Sequence, residues 1–255
     1  MPPLRYFVPN GFTGLSLLLG LASVTMSAQG DYRLAAWMIL WGVLLDKLDG
    51  TAARLMKATS KFGVEFDSFA DFVVFGIAPA ALVYYRLLAT GQFIGWQKSA
   101  IMGVSGLYAL ALAIRLSRFN VTTGSESVFF GLPGTLMGAV AASTYLTWDK
   151  YGLSENLLPY FSVYLVIAAF LMVSTIRLPK MKLTKSKVFN AFLGANVVLS
   201  YVCAPLMLLP EYLLGCAVTF TMGGVIYCLM HPEEGTSPNG DAAESEEDAT
   251  QERLA

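Results

Sequence analysis

The chain has 255 residues, 55% of them apolar and 14% charged, with a mean hydropathy of +0.57. An ordinary soluble domain carries about 25% charged residues. Composition therefore excludes a soluble enzyme or a nucleic-acid-binding module and predicts an all-α integral membrane protein. The formal charge of −1 hides an asymmetry: acids crowd the stretch from Glu233 onward, where Arg253 is the one base, so the membrane portion is net basic.

In chain order, residues 1–9 form a short aromatic lead interrupted by prolines. Apolar stretches follow at about 11–28, 34–53, 67–89, 99–117, 131–147, 160–176, 190–209 and 211–230. A bilayer core takes about 20 helical residues, and backbone groups in lipid must be paired internally. Eight membrane-spanning helices are predicted, the last two divided only by Pro210-Glu211. No cleavable leader is expected, because the first apolar run follows Pro9-Asn10 and reaches full span length without a small-residue cleavage site. Cys203, Cys216 and Cys228 fall singly in apolar segments and read as packing residues. Residues 231–255 hold too few apolar side chains to fold and read as a disordered acidic tail behind a membrane domain of residues 1–230. His231, where that tail begins, reads as a solvated residue with no special role.

Basic residues orient the bundle. Arg5, Arg54, Lys57, Lys61, Arg115, Arg118, Arg177, Lys180, Lys182, Lys185 and Lys187 fall on one set of loops, eleven against four (Arg33, Arg86, Lys98, Lys150) on the other. The positive-inside rule puts the first set and both termini in the cytoplasm. The run 177–187 is expected to sit over anionic headgroups.

The chemistry concentrates in residues 46–71, which join spans two and three on that cytoplasmic side. Asp46 and Asp49 are spaced i,i+3 and Asp67 and Asp71 i,i+4, so each pair lies on one helix face. Folded as a helical hairpin, the two pairs face each other and would repel strongly in a low-dielectric site unless cations lay between them. Oxygen ligands suit Mg²⁺, Mn²⁺ or Ca²⁺ rather than zinc. The expectation is a metal site for two ions. The rival is structural pairing of the acids with Arg54 and Lys47. Intramembrane acids at so specific a spacing favour the metal reading. Lys47, about 100° around the helix from Asp46, is expected to snorkel or line the cavity. Arg54 offers a bidentate fork to a pyrophosphate. Gly50 and Ala53 keep one helix face small enough for a flat base or phosphate to approach, and Gly63 allows close chain approach beside the second acid pair.

The spacing Asp46-x2-Asp49-Gly50-x2-Ala53-Arg54-x8-Gly63-x3-Asp67-x3-Asp71 matches all eight fixed positions of the signature of the CDP-alcohol phosphotransferases, which the chain resembles from about residue 8 to 190. Pro9-Asn10-x2-Thr13, Arg115-Leu-Ser-Arg118-Phe119-Asn120, Phe130-Gly131-Leu132-Pro133 and Ser174-Thr175-Ile176-Arg177-Leu178-Pro179 extend the resemblance toward the branch that uses serine as acceptor. Val74, before Phe75-Gly76, stands where many similar synthases carry serine. The resemblance implies two metal ions held by Asp46, Asp49, Asp67 and Asp71 with the Gly50 carbonyl, and Asp71 as general base. It also implies CDP contacts from Arg54, Ser60 and Gly63, with Asn10 and Thr13 nearby, and a homodimer. The implied reaction moves a phosphatidyl group from CDP-diacylglycerol to the hydroxyl of L-serine and releases CMP. The lipid tails would stay in the bilayer.

Arg115, Arg118 and Asn120 close span four on the cytoplasmic side. They read either as a positive-inside anchor or as a pocket for the lipid phosphate or the serine carboxylate, and the resemblance favours the pocket. Gly134-x3-Gly138 permits close helix contact, within the bundle or between subunits. Other acceptors with the same chemistry, namely choline, glycerol 3-phosphate or an inositol phosphate, stay open. A transporter is disfavoured, because the acids gather near one membrane face and no second half of the chain echoes the first.

Overall fold

The computed structural model describes residues 6–122, 129–174, 177–178 and 187–230. The acidic tail with His231, the basic residues Lys180, Lys182 and Lys185, and the side chain of Cys228 lie outside that description.

Nine α-helices build eight rods among the described residues. Helix α1 (Phe7–Gln29) turns through Gly30, in the left-handed conformation at φ 90°, and Asp31 into α2 (Tyr32–Leu55). Asp31 caps α2 by accepting from Leu34 N at 3.0 Å, which satisfies one of the free amides of the first turn. The two helices share the most extensive interface among the described residues. After a short polar connection, α3 (Lys61–Asp71) runs through a π-helical turn (Phe72–Ile77) into α4 (Ala78–Ala89) as one continuous rod. The rod begins at Ser60–Lys61, six residues ahead of the expected third span. The added residues, 61–66, are helical as well because Ser60 caps them, its Oγ accepting from Gly63 N at 3.0 Å. Then come α5 (Trp96–Thr122), α6 (Gly134–Lys150), α7 (Tyr160–Val173), α8 (Lys187–Cys203) and α9 (Pro210–Met230). Two-residue strands β1 (Phe129–Phe130) and β2 (Arg177–Leu178) pair antiparallel, joining the chain ahead of α6 to the chain after α7.

The last two spans divide differently from expectation. The break lies at Ala204–Leu209 rather than at Pro210-Glu211, with Met207 and Leu209 at positive φ, and Pro210 opens α9. Proline has no N–H to lose at a helix start and disfavours helix in the residue before it, so it starts a helix where the sequence pattern suggested a gap.

Among the described residues, four segments are long and apolar enough to cross a membrane on length and composition: α1, the α3–α4 rod, α5, and Glu155–Val173. The architecture is an all-α membrane bundle, as composition predicted. Its core is built on the π-helical turn. Val74, 0% exposed, is wedged between α1 and α2, where a Cβ on Gly42 would run into its Cγ1. Pro79 offers no amide to the Phe75 carbonyl four residues earlier; the buried Tyr108 hydroxyl on α5 donates to that carbonyl at 2.9 Å. Gly138 packs on Phe75, so Gly134-x3-Gly138 is used within the bundle. Gly131, at φ +75°, presses the chain before α6 onto the Met172 carbonyl at the end of α7, where any Cβ would collide. Cys203 is buried and Cys216 half-buried, both unpaired, as packing residues would be.

Candidate active site

Helix α1 packs antiparallel to α2 and parallel to the α3 rod, with Gly14 beside Phe66 and Gly20 beside Val74, which sets the N-terminal ends of α1 and α3 next to the C-terminal end of α2. Asp46 and Asp49 come from the last turns of α2 and Asp67 from α3. One carboxylate oxygen of each lies within 4.8 Å of the others. Asp49 is buried at 5% exposure and accepts from Thr13 Oγ1 at 2.8 Å, so α1 holds that carboxylate in orientation. Asp71, one turn deeper on the rod and immediately before the π-helical turn, lies close to the Asp46 carboxyl and within electrostatic reach of Asp46, Asp49 and Asp67. Three mutually repelling carboxylates packed this closely, with only one nearby ammonium, form an oxygen-donor set that fits hard divalent cations. That ammonium is Lys47, whose Nζ lies 3.8 Å from Asp46 Oδ2. The 100° offset did not keep it away, because its long stem reaches back around the helix. It is 66% exposed, and such a pair contributes little.

The expected nucleotide contacts surround this cluster. Asn10 Oδ1 lies against Gly63, where a Cβ would come within 3.4 Å, so α1 closes on the N-terminus of α3. Ser60 caps that helix. Gly50 faces open space, and its carbonyl accepts from Arg54 Nε at 3.1 Å. Arg54 is exposed at the C-terminal end of α2, and Ala53 is half-buried beside it.

On α5 the three expected acceptor residues separate. Arg115 is the electrostatic partner of Asp71, and its buried Nε has no hydrogen-bond partner. Arg118 Nη1 donates to the Val173 carbonyl at 2.8 Å and ties α5 to the end of α7. Asn120 binds Ser68 and Glu65 of α3. Sequence reasoning missed two neighbours of the cluster. Thr135, at the start of α6, lies beside Asp46, and Tyr201 of α8 lies within electrostatic range of it. Thr135 ends Gly131-Leu-Pro-Gly-Thr135 at a helix start, a position that could have been read. Tyr201 carried no signal, because only packing brings α8 beside α2.

The model of the CDP-alcohol phosphatidyltransferase family matches residues 6–176, and the carboxylate cluster falls inside that match. The chain belongs to this family. Proteins named CDP-diacylglycerol–serine O-phosphatidyltransferase are similar to it. The one from Helicobacter pylori (strain ATCC 700392 / 26695) is 37% identical over 184 residues, 71% of this chain and 75% of that protein. The one from Bacillus subtilis is 31% identical over 176 residues, 69% and 92%. The one from Mycobacterium leprae is 30% identical over 242 residues, 89% and 78%, and so extends beyond the family match. As a CDP-alcohol phosphatidyltransferase, the chain is a multi-pass membrane transferase, and its acidic cluster is able to bind metal.

Proposed function

We propose that this protein transfers the phosphatidyl group of CDP-diacylglycerol to the hydroxyl of L-serine, giving phosphatidylserine and CMP, at a divalent-metal site facing the cytoplasm. The observation that carries the reading is the approach of Asp46, Asp49 and Asp67 from two helices to within 4.8 Å, in a chain whose relatives bear that name. Asp46, Asp49, Asp67 and Asp71 would hold two ions, Mg²⁺ or Mn²⁺, with the Gly50 carbonyl once Arg54 turns from it to the nucleotide. Divalent ions held there would supply charge neutralisation for the phosphoryl oxygens.

The chain's own residues do the rest. Arg54, Ser60, Gly63, Asn10 and Thr13 seat the CDP moiety at the mouth, with Gly50 and Ala53 giving it room. Asp71 takes the proton as the serine hydroxyl attacks phosphorus; the new P–O bond forms as the bond to the CMP phosphate breaks. Arg115, beside Asp71 with an unpaired buried Nε, receives the serine carboxylate. Arg118 supports it from its anchor on α7, and the acyl chains remain in lipid. The protein acts as a homodimer, as the resemblance implies.

The test supplies CDP-diacylglycerol to purified protein with labelled serine, choline, glycerol 3-phosphate and inositol phosphate in parallel. Serine alone should be incorporated, with loss on chelation and recovery with Mg²⁺ or Mn²⁺. Incorporation of another acceptor in preference to serine would overturn the assignment.

A further inference from the structure

Serine carries a hydroxyl, a carboxylate and an ammonium. The proposed function, on which this inference rests, provides for the first two with Asp71 and Arg115 and leaves the ammonium without a partner. Among the described residues, the carboxylates outside the cluster are few. Asp31 lies in the α1–α2 turn, Asp149 and Glu155 flank the α6–α7 connection, and Glu211 pairs with Lys150 at 2.7 Å. These groups sit at the opposite end of the bundle. The one that remains is Glu65.

Glu65, Ser68 and Asp71 follow one another at i,i+3 along α3, so they form a stripe turning by about 60° per step and rising about 9 Å in all. The stripe faces α5. Asn120 Nδ2 donates to Glu65 Oε2 at 3.2 Å and to Ser68 Oγ at 3.0 Å, while Ser68 Oγ donates to Asn120 Oδ1 at 3.2 Å. Five residues earlier on α5, Arg115 is the electrostatic partner of Asp71. From deep to shallow, the α3–α5 seam therefore presents Asp71 and Arg115, then Ser68 and Asn120, then Glu65. That is a base, a cation, neutral donors and acceptors, and an anion, over a length suited to a small zwitterion. Glu65 is exposed on the side from which a soluble acceptor arrives, and a carboxylate accepts further hydrogen bonds while Asn120 steadies it.

We propose that Glu65 is a specificity-determining residue that receives the ammonium group of the acceptor, held toward the seam by Asn120. An acceptor without a cation gains nothing there. A phosphorylated acceptor is repelled.

The test uses the full-length protein, with the KM for serine measured beside the inhibition constant of 3-hydroxypropanoate, which is serine without its ammonium. A charge-assisted hydrogen bond of this kind is worth roughly ten- to a hundredfold in affinity. Glu65→Gln should therefore raise the serine KM by about tenfold or more. It should leave the inhibition by 3-hydroxypropanoate and the KM for CDP-diacylglycerol unchanged, and Glu65→Asp should recover part of the loss. Equal weakening of serine and 3-hydroxypropanoate would assign Glu65 to seam packing and overturn the inference, as would an unchanged serine KM. If the wild type turns over serine normally and the variant does too, only this inference falls. If the wild type incorporates another acceptor instead of serine, the proposed function falls with it.

Discussion

At Asp67 the side chain's two roles pull in opposite directions. It faces Asp46 and Asp49 across a gap that, without cations, stores like-charge repulsion in a poorly screened setting. Asp67→Asn should therefore abolish turnover, as should Asp46→Asn and Asp49→Asn, because each removes an anionic ligand from a shared site. Yet in chelator Asp67→Asn should melt at a higher temperature than the wild type. Activity and thermal scans with and without Mn²⁺ check both signs; near-normal turnover at limiting metal would remove the metal assignment. Asp71 is expected to behave differently. At saturating metal, Asp71→Asn should keep CDP-diacylglycerol binding and lose about 10²-fold or more in rate, as for a missing base. A retained rate would leave it a ligand only.

The element that organises the bundle is the π-helical turn directly after Asp71. Such turns arise where a helix must absorb an irregularity, and here Pro79 removes one donor while Tyr108 supplies another to Phe75. The turn presses Val74 into the α1–α2 seam at Gly42. Val74, the position where the sequence departs from many similar synthases, is thus a packing residue away from the acceptor seam. Gly42→Ala should destabilise the protein by about 1–3 kcal/mol through overpacking. Val74→Ala in the same chain should restore much of the loss, since it vacates the space the new methyl needs. Melting of the single and double variants in detergent measures the coupling; additive losses would show that the two residues do not share the seam.

Over the whole molecule, the two membrane faces are built for different tasks. At the end away from the carboxylates, Arg86 pairs with Glu155 at 3.0 Å and lies over the rings of Tyr32 (5.7 Å) and Trp148 (5.1 Å), locking α4 to α2, α6 and the α6–α7 connection. At the carboxylate end, by contrast, a short, largely exposed connection links α2 to α3. The C-terminal pair is tied in by Trp41 Nε1 donating to the Ala204 carbonyl at 2.8 Å and by the Lys150–Glu211 ion pair. With the carboxylate face in the cytoplasm, a cysteine at Lys182 should label from the cytoplasm and one at Asp149 from the opposite side, and a reporter after Ala255 should report cytoplasm. Labelling of both cysteines from one side would overturn the orientation.

What the sequence determined by itself was local or periodic. Span lengths follow from runs of apolar residues, and the facing of Asp46 with Asp49 and of Asp67 with Asp71 follows from helical spacing. The cap at Ser60 is likewise local, since its partner is three residues away. Tertiary structure decided what depends on which helix lies beside which. It placed Thr13 on Asp49, divided the α5 motif so that Arg115 faces Asp71 while Arg118 anchors α7, and tied Asn120 to Glu65 and Ser68. It also brought Thr135 and Tyr201 to Asp46 from segments about 90 and 155 residues away along the chain. Periodicity names the face a side chain occupies, but side chains carry no mark of the neighbour they will meet. Only the close approach of the helices, set here by Gly42 and Gly138 against the π-helical turn, settles those pairings.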